Sequence, residues 1–361
     1  MTTGIADYDS NDYDYRTYWS GREYELMAED RALRRLVPAL GRSRCLVDFG
    51  GGFGRNVRHY RAGAAHYVIV DYSATNLVNA SELLADDVAA GRALLIRADV
   101  NALPFVDAAF DAAIVVRLLH HLPELAGALT EMGRVVRGRW LIDVPIKHHA
   151  LGLVRGLARR DWRTVRGPDP LRTSVGSEPF WNFQLAEVRR LLSEHGWQTR
   201  VGASVNNLRR WDRRLPPRLA RAMRPAALLV EALAQRLGIG WWGPNQFLLA
   251  TRPMSSARRP TSRRMWPTAP AVAALLACPT CRCGLSWTAD AARCQTCRGA
   301  YPRVGPYWDF VVADSGGRTI NCGSDPDHGA LGVERSRGGL SRADKRRVGP
   351  ADTVQDVTTA A

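Results

Sequence analysis

Two groups of residues in this chain have the types and spacing to do chemistry. The first is Asp48-Phe49-Gly50-Gly51-Gly52-Phe53-Gly54, an acid followed by glycines at alternate positions. Such glycines let a chain turn from a buried strand into a helix while a ligand comes close to the backbone. The second is Cys278-Pro279-Thr280-Cys281 with Cys294-Gln295-Thr296-Cys297. Each Cys-x-x-Cys knuckle brings two thiolates together, and two knuckles about a dozen residues apart supply the tetrahedral sulfur set that zinc prefers. A closed set of Cys278, Cys281, Cys294 and Cys297 implies a structural ion, which supplies folding energy to a segment with little core of its own. Disulfides are the alternative, disfavoured in a cytoplasmic setting. Cys283 is a spare ligand, Cys45 precedes a strand and reads as core, and Cys322 sits in the tail.

The glycine turn does not fit a nicotinamide site. That fingerprint needs a third glycine at its sixth position, and counting from Gly50 or Gly52 gives Arg55 or Val57. The phosphate-cradling Gly-Lys-Ser/Thr ending is also absent. Downstream, His66-Tyr67-Val68-Ile69-Val70-Asp71 reads as a second buried strand ending in an acid. Asp71 lies about twenty residues past the glycines, the spacing at which a carboxylate meets two ribose hydroxyls. Ala93-Leu94-Leu95-Ile96 reads as a third strand, followed by Asp99. Leu103-Pro104-Phe105 then leads through Asp111 into a fourth, Ala112 to Val116, with His120 and His121 just beyond.

Acid-x-Gly-x-Gly-x-Gly with these following elements resembles class I S-adenosylmethionine (SAM)-dependent methyltransferases, in particular the methyltransferase type 11 group. The resemblance covers roughly residues 40 to 250. It implies cofactor contacts at Asp48, Gly50, Gly52, Gly54, Asp71 and Asp99, with Asp99 near the adenine. It also implies a histidine pair, His120 and His121, beside cofactor and acceptor. Either histidine is a candidate general base for an acceptor that loses a proton, and Arg117 is a candidate anchor for an anionic one. As single residues each has a plainer reading: Asp48 as a helix-start acid, Asp71 as a strand end, Asp99 as a turn residue, the histidines as helix-start residues. The flanks of the cysteine knuckles, Leu276-Ala277 and Ala300-Tyr301-Pro302, resemble small zinc-ribbon proteins that activate tRNA, rRNA and protein methyltransferases. That family usually continues Asp-Gly-Ile-Pro, where this chain has Val304-Gly305-Pro306-Tyr307.

The elements that must position these residues follow from the same reading. The chain has 361 residues, 46% of them hydrophobic, enough for one large and one small domain. The expected fold is α/β: a Rossmann-like seven-stranded methyltransferase sheet with helices on both faces, plus a small β-rich zinc ribbon. The expected layout is an N-terminal helical segment to residue 40, a methyltransferase domain over 41–251, a linker over 252–273, the ribbon over 274–312 and a disordered tail over 313–361. Glu23 to Leu40 reads as a helix, with Tyr18, Trp19 and Arg22 placed to close over the cofactor. Further helices are expected near Glu124 to Val136 and from Ala186 to His195, the latter capped by Asn182. Strands are expected at Trp140 to Val144, Trp197 to Val201 and Gln246 to Ala250, the last two as an antiparallel edge hairpin.

The formal net charge is +15, and the basic residues are almost all arginine, with lysine only at 147 and 345. Seven arginines fall in a basic insertion over about 203–244, between Arg209 and Arg224. A solvated face is the plain reading. Trp211 with these arginines also suits RNA, and Leu228, Leu229, Leu233 and Leu237 suit a helix lying on an anionic membrane. The acidic, polar start is no secretory signal, and no stretch of twenty apolar residues occurs, so a soluble cytoplasmic protein is the default. Three functions compete: a methyltransferase on a small or lipid-like acceptor, one on RNA or protein, and a non-catalytic scaffold of the same fold.

Overall fold

The computed structural model describes residues 18–161, 166–175, 178–252 and 273–311. The expected tail, positions 253–272 of the expected linker and the residues before Tyr18 lie outside them.

Strands rich in Val, Ile and Leu and apolar on both faces belong at the centre of a parallel sheet. β1 (Ser43–Phe49), β2 (Ala64–Asp71), β3 (Ala93–Arg97), β4 (Phe110–Val115) and β5 (Val136–Pro145) pair in parallel in the order β3-β2-β1-β4-β5. β9 (Asn245–Thr251) then joins β5 antiparallel, and β8 (Gln198–Val205) joins β9. This is the expected Rossmann-like sheet with its antiparallel edge hairpin. Side chains alternate across it. Val47, Phe49, Val70 and Trp140 pack with α5 (Leu125–Val135) and α7 (Leu185–Glu194). Leu46, Ile69, Leu95 and Ile114 pack with α1 (Glu23–Leu36) and α3 (Ala74–Leu83). Each such residue, fully buried, contributes about 1.5–3 kcal/mol before the entropy of ordering is set against it.

Four features differ from the expectation. First, α1 stops at Leu36 and a 3-10 turn covers Val37–Leu40, because Pro38 has no N–H to continue an α-helix. Second, Asn182 ends a strand instead of capping a helix. It belongs to the hairpin β6 (Leu171–Val175) and β7 (Glu178–Asn182), and its amide donates to the Thr173 hydroxyl at 3.0 Å. Third, the ribbon continues the main sheet. Its strands β10 (Leu285–Trp287), β11 (Ala291–Cys294), β12 (Ala300–Val304) and β13 (Tyr307–Asp309) form an antiparallel run whose last member pairs parallel with β3, giving eleven strands. Arg97 ion-pairs with Asp309 at 3.0 Å across that seam. Arg282 donates to the Leu103 carbonyl at 2.8 Å and to Glu131 at 2.6 Å.

The fourth is α8 (Pro217–Leu237), the helix of the basic insertion. Its sequence is amphipathic, yet the side turned to the protein is largely small and polar: Ala220, Ala234, Glu231 and Gln235 are buried, and of the leucines expected on an outer face Leu228 instead packs partly buried against the core. Glu231 is the centre of that contact. It accepts from Tyr24 of α1 at 2.6 Å, from the backbone N–H groups of Asn206 and Asn207 at 3.0 Å each, and from Gln235 at 3.2 Å. Burial raises the pKa of its carboxyl, against those hydrogen bonds. Leu229, Leu233 and Leu237 point outward instead. Glu231→Ala leaves several buried donors without acceptors, so it should destabilise the protein by about 3 kcal/mol or more, read as a lower urea midpoint. A change under about 0.5 kcal/mol, typical of a surface site, contradicts the packing of α8 on α1.

Candidate cofactor and acceptor site

The turn after β1 is built by its glycines. Gly50 has φ 66 and Gly54 φ 83, in the left-handed region that side chains avoid. A Cβ on Gly50 would meet the Leu118 side chain at 3.0 Å, and one on Gly54 would meet Leu84 at 2.9 Å. Gly50 N–H bonds the Val70 carbonyl at 2.8 Å, which lays the turn against the end of β2. Asp71, the last residue of β2, reaches across to it. One carboxylate oxygen accepts from Gly52 N–H at 2.7 Å, and the other from Ser73 N–H at 3.0 Å and Asn76 Nδ2 at 3.3 Å.

Beside this turn lies a cleft at the C-terminal ends of β1 to β4. Gly50, Gly52, Asp71, Asp99, Arg117, Leu118 and His121 are among the residues that line it. Asp99 is held by its own turn, accepting from Asn101 N–H at 2.8 Å. Asp48 and Gly54 do not line the cleft. Asp48 is fully buried beneath the turn, where Tyr60 donates to one oxygen at 3.0 Å and the other has no hydrogen-bond partner. Burial pushes its pKa up to about 7, against the pull of the Tyr60 hydroxyl and the Arg55 charge.

A buried carboxylate from α1 ties the turn to the end of β4. Glu29 pairs with Arg55 just past the turn and with Arg117 just past β4, the latter at 2.6 Å. Burial alone would raise its pKa, but the two guanidinium charges hold it below the usual carboxylate range. Arg117 also donates to the Tyr18 hydroxyl at 3.0 Å, and the Trp19 ring lies within 4.5 Å of both guanidinium carbons. Arg117 has φ 59, and its N–H bonds Asp143 at 3.3 Å. Burial and the nearby Glu29 charge raise the Asp143 pKa to about 6. The charge of Arg117, expected for an anionic acceptor, is therefore shared with Glu29. Nothing local in the sequence marks Glu29, one of several alternating charges on its helix. Ser73 and Asn76 carry a recoverable signal, since Ser73 caps α3 by accepting from Asn76 N–H at 3.1 Å.

The two histidines have different places. His121 lines the cleft, and burial lowers its pKa to about 4. His120 does not line it; its ring stacks on Phe180 at 4.3 Å and lies 3.9 Å from that of His121. Burial, with the neighbouring positive charges, lowers its pKa well below the ordinary imidazole range. Both rings are neutral at pH 7, and His121 in this environment is a weak base suited to hydrogen bonding an acceptor.

At the far end of the sheet the sulfur atoms of Cys278, Cys281, Cys294 and Cys297 all lie within 4.8 Å of one another. Zinc–sulfur bonds of about 2.3 Å in a tetrahedron put sulfurs about 3.8 Å apart, so the four need only small adjustments. Cys283 is buried beside them, with its sulfur on the Cys281 carbonyl at 3.5 Å. Cys45 is core, where burial raises its pKa.

Residues 47–139 match the family model described as a methyltransferase domain. No curated protein matches the chain. Among solved structures, the chain is similar to the YcgJ protein from Bacillus subtilis (15% identity, covering 63% of this chain and 100% of that one, TM-score 0.42). It is also similar to an S-adenosylmethionine dependent methyltransferase from Mesorhizobium loti (18%, 62% and 98%, 0.42). A third is the complex between the Haloferax volcanii Trm112 methyltransferase activator and the putative methyltransferase (16%, 69% and 97%, 0.45). At those scores the likenesses say nothing about activity.

Asp48 gives a measurable pH signature. Its pKa is about 7 in the folded protein and 3.8 as a free side chain. The folded state therefore binds the extra proton between those values, and that stability is present below pH 4 and lost as pH rises toward 7. Asp48→Asn should flatten the fall in urea-unfolding free energy over pH 5–7 by roughly 2 kcal/mol, leaving the part due to Asp143. An unchanged slope would show that Asp48 is ionised in the fold.

Proposed function

We propose that this chain transfers a methyl group from S-adenosylmethionine to a small or lipid-like acceptor. The observation that carries this reading is the placement of Asp71 on the glycine turn, beside a cleft at the C-terminal edge of a sheet whose residues 47–139 match a methyltransferase domain. The residues fit the cofactor. Asp71 lies where a carboxylate can meet ribose hydroxyls, Asp99 lines the same cleft for an adenine, and the bare glycine backbone leaves room for the methionine half. The oxygen of Asp48 that lacks a hydrogen-bond partner leaves a polar atom beneath the turn, beside the bare glycine backbone.

When bound, SAM supplies an electrophilic methyl group on a sulfonium. The chain's own work is placement, because the acceptor atom must sit about 3 Å from the methyl carbon and in line with the breaking bond. Leu118 and Leu122 supply an apolar wall, and neutral His121 supplies a ring nitrogen without a competing charge. Tyr18 and Trp19 pack over Arg117 and Arg55, which supports a role for the N-terminal segment in excluding water. The RNA reading of the insertion is weakened by its contacts. Arg213 pairs with Glu25 at 2.8 Å and Arg224 with Glu23 at 3.6 Å, while the Trp211 ring packs edge-on against Tyr24 at 5.9 Å.

Calorimetry with SAM should show binding that Asp71→Ala weakens at least about tenfold, the worth of a charge-assisted hydrogen bond; failure of the unaltered protein to bind SAM defeats the proposal. Labelled SAM with a fractionated extract from the host should then mark an apolar small-molecule fraction, and label in RNA or protein favours the other acceptor class. Because His121 titrates near 4, turnover should show no rate break from it at the ordinary imidazole value of 6.5. A break there that disappears in His121→Ala would show that it acts as the base.

The cysteine cluster supports structural zinc held by Cys278, Cys281, Cys294 and Cys297. Metal analysis should find about one zinc per chain, as a closed four-sulfur site requires. Chelation or Cys294→Ser should lower the melting temperature through the ribbon and the β3 edge it covers. Full retention of stability without metal would remove zinc from the fold.

A further inference from the structure

The helix α8 is turned the wrong way for a soluble protein. Its buried side holds alanines, Glu231 and Gln235, while Leu219, Met223, Leu229, Val230, Leu233 and Leu237 are exposed. Leu229 is 72% exposed and Leu237 64%. An apolar side chain left in water forfeits the stabilisation it would gain inside, and a run of them marks a contact surface. The surface extends past one helix. Ile239 and Trp241, just after α8, are exposed, and so are Leu151, Val154 and Leu157 of α6 (Ala150–Ala158). α6 starts beside the chain that follows α8, its Ala150 N–H bonding the Trp242 carbonyl at 3.2 Å, five residues past the end of α8.

Charge identifies the partner. Arg155, Arg159, Arg160, Arg218, Arg221 and Arg236 are exposed on or beside these helices, and no ion pair engages them among the described residues. The only acid in α8 is the buried Glu231, and α6 has none. The exposed acid beside these helices is Asp161, so a two-fold contact between copies would set mostly arginines against arginines. Apolar side chains between snorkelling arginines, with a tryptophan at the border, suit the headgroup boundary of an anionic bilayer. No helix among the described residues is long and apolar enough to cross a membrane, so the contact is peripheral.

We propose that α6, α8 and Trp241 form a docking surface for an anionic lipid membrane. Leucines and tryptophan enter the acyl boundary, and the arginines pair with phosphate headgroups. α6 begins just past the C-terminal end of β5, the sheet edge on which the cleft opens, so a docked chain holds its acceptor side near the lipid. Docking stands apart from the methyl-transfer reading, and the two have separate readouts.

The test is co-sedimentation of the full chain with phosphatidylcholine vesicles, with and without phosphatidylglycerol. Binding to the anionic vesicles only is expected. The double variant Leu229→Glu/Leu233→Glu should lose at least about tenfold in partitioning, with its melting temperature and its SAM calorimetry unchanged. Arg218→Gln/Arg221→Gln should weaken binding and reduce its salt dependence. If the leucine variant unfolds, Leu237→Gln alone should still lower partitioning. The proposal is overturned by no binding to anionic vesicles, by binding that ignores the leucine substitutions, or by a solution dimer that those substitutions dissociate. Tight RNA binding that competes away the vesicles also overturns it.

Discussion

Glu29 is the residue on which the architecture of the cleft turns. It is a carboxylate sealed inside protein, and it stays charged because Arg55, just past the glycine turn, and Arg117, just past β4, both reach it. Removing one partner of such a buried pair typically costs about 3–5 kcal/mol, since the other charge is left uncompensated. The arrangement fixes α1 over the glycine turn, sets Arg117 in its left-handed backbone conformation beside Asp143, and gives Trp19 two guanidinium groups to lie on. On its other flank the same helix meets α8 through Tyr24 and Glu231. One helix thus joins the wall of the cleft to the outermost element of the insertion by buried polar contacts.

The electrostatics around the cleft are arranged by burial as much as by charge. Asp48 and Asp143 are both pushed toward neutrality by loss of water, whereas Glu29 is kept ionised by its partners. His120 and His121 stay uncharged for the same reason as Asp48, because a buried ring does not readily take a proton. Asp71 spends one oxygen on Gly52 and so holds the turn in shape. A ligand entering this cleft meets a carboxylate that is already oriented.

The ribbon meets the sheet at its most exposed place. An open edge strand invites unwanted pairing, and covering it is a common solution. β13 covers β3, while Arg282 braces the loop after β3 through Leu103 and Glu131. Ala98 and Asp99, which follow β3 directly, belong to the cleft. Whatever holds the ribbon together therefore also steadies that wall.

The sequence by itself determined the strand-turn-helix units and the thiolate knuckles. Both are local: an apolar run, glycines at fixed offsets and a two-residue cysteine spacing constrain the backbone within a few residues. The existence of the parallel strands was legible for the same reason, as each run is strongly apolar; their order in the sheet came from the tertiary structure. The hairpin β6–β7 was missed because its strands are short, mix polar and aromatic residues, and carry Pro179, which reads against a strand. Only the tertiary structure decided that Glu29 joins Arg117, 88 residues away, and that Arg97 meets Asp309, 212 away. It also decided which side of α8 faces inward. Amphipathic spacing gives a helix two faces but says nothing of which is buried, and here Tyr24, Asn206 and Asn207 hold the polar side through Glu231 and leave Leu229, Leu233 and Leu237 outside. Charges and faces find their partners through the fold, and no local period records a contact made across it.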